Sequence, residues 1–151
     1  MALGYTPMDD IHEEFDELLA QASTSGDSDL AERLCALHAH LQNHFSQENH
    51  WMAETDFPAR ECHIAEHEAV LASVEQVMVK IEEGNLDIGR SLVQALASWF
   101  PMHAIHLDSA LAQWMCKRRT GGIPIVLHPR RPGSVTSRTA LPGMPTARSA
   151  S

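Results

Sequence analysis

Positive charge is almost missing from the greater part of this chain. Residues 1–116 hold all 20 carboxylates against four basic side chains, Arg33, Arg60, Lys80 and Arg90, a balance of −16. Nucleic-acid binding needs clustered cations, so a body of this sign leaves no nucleic acid among the expected partners. Cysteine is scarce too: Cys35, Cys62 and Cys116 are odd in number and form no CxxC pair, which excludes a disulfide framework and fits reduced thiols. No apolar run approaches the ~20 residues that span a bilayer, so no membrane partner is expected. The opening MALGYTPMDD lacks the basic and apolar regions of a secretory signal, which places the chain in the cytoplasm by expectation. Strand alternation and internal repeats are also lacking.

What remains, in 151 residues with 44% hydrophobic content, is enough for one domain with a real core. Four helical stretches are read. The first starts at Thr6-Pro7, with Thr6 as a side-chain cap and proline at the first helical position, and runs to about Ala22 before the loop STSGDS. The second runs from Asp27 or Asp29 to about Thr55. Pro58 opens the third, which stops at Gly84, and the fourth runs from about Leu86 to Arg119. Apolar stripes at alternate steps of four and three support them. They are Met8, His12, Phe15, Leu19, Ala22; then Leu30, Leu34, Leu37, Leu41, His44, Glu48, Trp51; then His63, His67, Val70, Val74, Val77, Ile81. The fourth gives Leu92, Leu96, Trp99, His103 and, less cleanly, His106 or Leu107 onward.

Short connections make neighbours antiparallel, so the expected fold is all-α, an up-down-up-down four-helix bundle over residues 1–119. Residues 120–151 differ. Five prolines, with glycine, serine and arginine between them, and seven basic residues from Lys117 on without an acid predict a disordered tail. Ile123–Leu127 is a short apolar piece that would dock on the bundle.

Ten histidines are many for this length, and their placement is informative. His12, His44, Glu48, His63, His67 and His103 occupy stripe positions where leucine or valine would serve. A lone buried imidazole or carboxylate costs several kcal/mol unless it is paired or bound to a metal. A single such histidine is usually a hydrogen-bonded core residue; six on four converging faces imply a shared partner. His44/Glu48 and His63/His67 are i, i+4 pairs, and imidazole with carboxylate suits iron, zinc or manganese. His38, His40, His50 and His128 read as solvated or locally hydrogen-bonded.

Four segments carry a resemblance. They are Met8-Asp-Asp-Ile-His12-Glu-Glu-Phe15, His44-Phe45-Ser-Gln-Glu48-Asn-His-Trp-Met52, Cys62-His63-Ile-Ala-Glu-His67 after Pro58, and Trp99-Phe-Pro-Met-His103-Ala-Ile-His-Leu-Asp108. In order and spacing this chain resembles the hemerythrins, particularly the single-domain bacterial ones, over roughly residues 8–118. The resemblance implies a non-haem centre of two iron ions, oxo- or hydroxo-bridged, with dioxygen as ligand. His63, His67 and His103 would hold one iron, His12 and His44 the other, and Glu48 and Asp108 would bridge them. Phe15, Phe45, Met52 and Trp99 would wall a dry pocket around the open position. The resemblance alone selects Asp108, because five residues after His103 is about 140° round an ideal α-helix; His106 is a rival ligand or outer neighbour. Asn49 stands where the family often has a second acid, and Pro101 is expected to kink the fourth helix.

The implied function is reversible dioxygen binding, as a carrier, store or local supply, since no output module is attached. The alternatives are a redox enzyme or sensor working on peroxide or nitric oxide, with His106 and Cys62 as suspects, an iron-handling protein, or a mononuclear zinc site. No protein partner is indicated.

Overall fold

The computed structural model describes residues 1–121. The expected tail, His128 and the Ile123–Leu127 segment lie outside the described residues. The helices are α1 (Thr6–Thr24), α2 (Asp27–Glu54), α3 (Arg60–Glu82), α4 (Leu86–His103) and α5 (Ser109–Arg119), with a π-helical turn, Ala104–Asp108, joining the last two into one rod. No strand occurs among the described residues.

Contacts at the two ends fix the antiparallel order. At one end Arg90, at the start of α4, reaches the Ser25 carbonyl at 3.1 Å and Asp27 at 2.6 Å, where α1 hands over to α2. At the other end the Trp114 indole of α5 donates to Thr55 Oγ1 at 2.9 Å, and Tyr5 meets Trp51 edge-on at 5.2 Å. So α1 and α3 run one way, α2 and the α4–α5 rod the other, as the short loops require.

The helix boundaries have local causes. Thr6 does not cap α1: Tyr5 takes the cap position without a side-chain bond, and Thr6 lies inside the helix. Asp9 holds the entry instead, accepting from the Leu3 and Gly4 amides at 2.6 and 3.0 Å, a carboxylate at the positive end of the helix. Pro58 sits in the turn before α3 rather than at its first residue. Gly84, at φ +90°, ends α3 in a Schellman motif, its amide on Ile81 and that of Asn85 on Lys80 at 2.9 and 3.0 Å. Asn85 then caps α4 through Ile88 N at 3.3 Å. On α4, Gly89 lets the helices approach closely: a Cβ there would lie 2.4 Å from Ile81 Cδ1 and 3.0 Å from Leu34 Cδ1, so those side-chain ends would have to move.

The α1 stripe is buried as expected, residue for residue. The other stripes are buried at most of their positions too, with local departures: Phe100 is buried where Trp99 was expected, Met52 where Trp51 was, and Val70 and Val77 are half-buried. The core falls into two apolar clusters. One, rich in leucine and phenylalanine, fills the end near Leu34 and Ile81; the other gathers Tyr5, Met8, Met52, Phe57, Leu111 and Ala112 at the opposite end. The ionisable stripe residues lie in the layer between them.

Candidate metal centre

His12, His44, His63, His67 and His103, with Glu48 and Asp108, enter that layer, and none of the seven is more than 2% exposed. α1 supplies His12. α2 supplies His44 and Glu48 one turn apart, α3 supplies His63 and His67 one turn apart, and α4 ends on His103. Asp108 closes the π-turn. That turn resolves the five-residue spacing, because its i→i+5 ladder brings Asp108 back over His103, with Oδ1 2.9 Å from His103 Nε2. His106 is turned outward, exposed, and joins neither group of donors.

The donor atoms form two groups that share both carboxylates: Glu48, His63, His67, His103 and Asp108, and His12, His44, Glu48 and Asp108. The sharing is oxygen by oxygen. Glu48 Oε2 lies 3.4 Å from His63 Nε2 and 3.3 Å from His67 Nε2, while Oε1 lies 2.9 Å from His44 Nε2 and 3.7 Å from His12 Nε2. Asp108 Oδ1 is 2.9 Å from both His63 and His103 Nε2, while Oδ2 is 3.1 Å from His12 Nε2. Donors set at right angles about 2.1 Å from one ion stand about 3.0 Å apart. Most of these spacings are close to that figure.

Hydrogen bonding alone does not satisfy the cluster. Both Asp108 oxygens, Glu48 Oε2, His12 Nε2, His44 Nδ1 and His63 Nδ1 are buried without an aligned partner. Each such group costs about 1–3 kcal/mol, and charged ones more. Outer partners sharpen the point. Asn49 Oδ1 accepts from His67 Nδ1 at 2.9 Å, and Glu66 Oε1 accepts from His103 Nδ1 at 3.0 Å. With the proton on Nδ1 in each neutral ring, the two Nε2 lone pairs face each other at 3.2 Å. A cation between them turns that repulsion into binding, and the outer acceptors set ring orientation as they do in metal sites. The donor set therefore fits a pair of divalent cations.

Without metal, protons fill the role. Burial disfavours a charged ring at His12, but the adjacent carboxylates of Asp108 and Glu48 outweigh this and raise it to about 9. His63 rises to about 9 against the same burial, again through Asp108 and Glu48. Burial pushes Glu48 up, yet His12, His44, His63 and His67 together hold it well below the carboxylate range. Asp108 is lowered in the same way, burial being overcome by His103, His12 and His63. His67 is lowered by burial, which outweighs the opposing pull of Glu48 and is reinforced by the neighbouring histidines. No lysine or arginine among the described residues enters the cluster.

Around the donors, Phe45 stacks on His67 at 4.0 Å and 6°, and Trp99 lies against His103 at 4.5 Å while its indole donates to Glu66 at 2.9 Å. Both thus pack on the three-histidine side. On the two-histidine side Phe100 stands edge-on to His12 at 4.9 Å, with Phe15 behind it at 4.4 Å. Met52 belongs to the apolar cluster at the other end. Sequence reasoning missed Phe100, hidden one place after the stripe residue Trp99, and Glu66, whose signal was its position one turn after His63. It noted Asn49 without its partner. His40, expected to be solvated or locally bonded, is buried, its Nδ1 3.5 Å from Glu14 and its ring 5.6 Å from that of His44. Cys35 and Cys62 are exposed thiols, and Cys116 meets the Gly4 carbonyl at 3.3 Å.

Residues 3–114 match the family model described as the Hemerythrin HHE cation binding domain. A protein of Ralstonia nicotianae (strain ATCC BAA-1114 / GMI1000) named "Bacteriohemerythrin" is 35% identical over 116 residues, which cover 77% of this chain and 85% of that protein. No solved structure matches the chain.

Proposed function

This chain belongs to the hemerythrin family, and from that premise we propose that it is a cytoplasmic non-haem di-iron protein that binds dioxygen reversibly, as a carrier, store or local supply. The observation that carries the reading is the division of each shared carboxylate, one oxygen to each donor group, at Glu48 and at Asp108. On this reading His63, His67 and His103 hold one iron, His12 and His44 the other, and Glu48 and Asp108 bridge the pair.

Two irons so held supply two electrons and an open position to a diatomic ligand. The chain's own contribution is the environment. The three-histidine group offers five donors and the two-histidine group four, so an iron pair held here would have its open position beside His12 and His44. Phe100 faces that side with hydrocarbon, backed by Phe15, an apolar wall that would limit water beside a bound ligand. Asn49 and Glu66 hold His67 and His103 with Nε2 inward. The two carboxylates offset two of the four positive charges of a ferrous pair, which lowers the cost of burial.

The test is direct. The chain is purified without oxygen, its iron is counted, and the reduced protein is exposed to air while the visible spectrum is recorded. Two irons per chain and a band that appears with oxygen and vanishes on its removal are expected. Two irons that oxidise with no reversible band would replace the binding reading by redox enzymology or sensing. One metal per chain, or zinc, would overturn the di-iron assignment.

A further inference from the structure

Outside the metal centre, a groove of about 400 Å³ opens between α3 and α4. Val70, Leu92, Leu96 and the Trp99 ring line it, the small Ala95 leaves it open, and Glu66 is its single charged side chain. Volume and lining are those of a small-molecule site, apolar with one convergent polar group. Glu66 is 39% exposed. Its Oε1 already accepts from the Trp99 indole and His103, and a carboxylate retains further acceptor capacity at its second oxygen. A carboxylate at the rim of an apolar groove is the chemistry that recognises an ammonium group on a hydrocarbon body.

We propose that this groove binds a small amphipathic amine, its ammonium on Glu66 and its apolar part over Leu92, Leu96, Val70 and the Trp99 ring. A carboxylate ligand is repelled by Glu66, and a neutral ligand leaves the charge unmatched. Glu66 is also the outer partner of His103, so an ammonium that draws on its charge loosens that histidine. Bound amine and bound metal are therefore linked, each changing the affinity of the other by the same factor. This linkage rests on the proposed metal assignment; the amine site itself does not.

The experiment titrates the full chain, metal content measured alongside, with hexylammonium, hexanol and hexanoate. Calorimetry and the indole N–H resonance of Trp99, identified by its loss in Trp99→Phe, are read together. Hexylammonium is expected to bind at least tenfold tighter than hexanol and to shift that resonance, with hexanoate silent. Glu66→Gln should bring the amine down to the alcohol's affinity. Ala95→Trp should fill the groove and abolish binding while metal content and helicity stay unchanged. Equal binding of amine and alcohol, no binding at millimolar concentration, or an amine affinity indifferent to both substitutions overturns the site. If amine binds as expected but does not speed metal release to a chelator, the linkage alone is overturned, which separates it from the site.

Discussion

Loading the metal-free chain with an inert dication such as zinc at pH 7 should expel about one proton per ion. In the metal-free cluster the rings of His12 and His63 are raised to about 9, and both carboxylates stay ionised. At pH 7 His12 and His63 therefore each carry a proton opposite the two carboxylate charges. Each donor group contains one of these protonated rings, His63 in one and His12 in the other. A metal needs the lone pair, so one proton must leave as each ion enters. The apparent affinity for each ion should then rise about tenfold per pH unit between pH 7 and about 9, and level off above. Ionisation of metal-bound water would add protons and never subtract them. Calorimetric titration in buffers of different ionisation enthalpy gives the proton count directly. The same pairs affect the metal-free fold. Folded values of about 9 lie above the ordinary 6.5, so their contribution is complete below about 6.5 and is lost as pH rises through 9. Glu48 and Asp108 act in the opposite sense, since their lowered values give stability above the ordinary carboxylate range that is lost in strong acid. Release of well under half a proton per ion, with affinity flat from pH 7 to 9, would refute the imidazolium–carboxylate description of the cluster.

On the proposed dinuclear assignment, Glu48→Gln should cut metal content from two ions per chain to one at most, by elemental analysis, because one shared carboxylate is lost to both donor groups; two retained ions would remove Glu48 from the bridging role. Asn49→Leu should weaken metal retention about 10- to 100-fold in chelator competition, since His67 loses the acceptor that orients it. Phe45→Ala should cost about 3–5 kcal/mol of unfolding free energy in urea, because the ring is fully buried and stacked on His67. Gly89→Val should cost about 1–3 kcal/mol in the same assay, through forced displacement of Ile81 and Leu34.

Periodicity and burial cost made most of this architecture readable before any coordinates. A stripe of leucines interrupted by histidine and glutamate fixes both the buried face and the need for a common partner, and α1 follows it without a departure. Boundaries were less legible where a side chain several residues away makes the cap. Thr6 is a good capping residue by type, yet Asp9 holds the turn. The outer residues were harder still. Glu66 sits on the partly exposed side of α3, where a glutamate is unremarkable, and only the meeting of α3 with α4 shows that Trp99 and His103 converge on it. Register along one helix cannot give that, because it depends on the rotation of its neighbour. Phe100 and Trp99 make the same point, since either can lead a stripe and α1 decides which one is buried.

The fourth rod is where helical counting failed, and the failure has a definite form. Buried positions before the break, Leu92, Leu96, Phe100 and His103, advance by fours and threes, as do Asp108, Leu111 and Ala112 after it allowing for the adjacent pair. The single step that does not fit is the five from His103 to Asp108. One extra residue in an α-helix is what a π-turn accommodates, so the turn gives a five-residue spacing the geometry of a four-residue one. His103/Asp108 then becomes the third pair of buried donors one turn apart, alongside His44/Glu48 and His63/His67. The same step carries His106, which a plain α-helix would bring near His103's face, out to the surface. The uneven stripe after His103 was thus itself a signal. Buried seams with matching phase on either side of a one-residue surplus mark a π-turn, and the ionisable residues at its two ends mark what the turn is for.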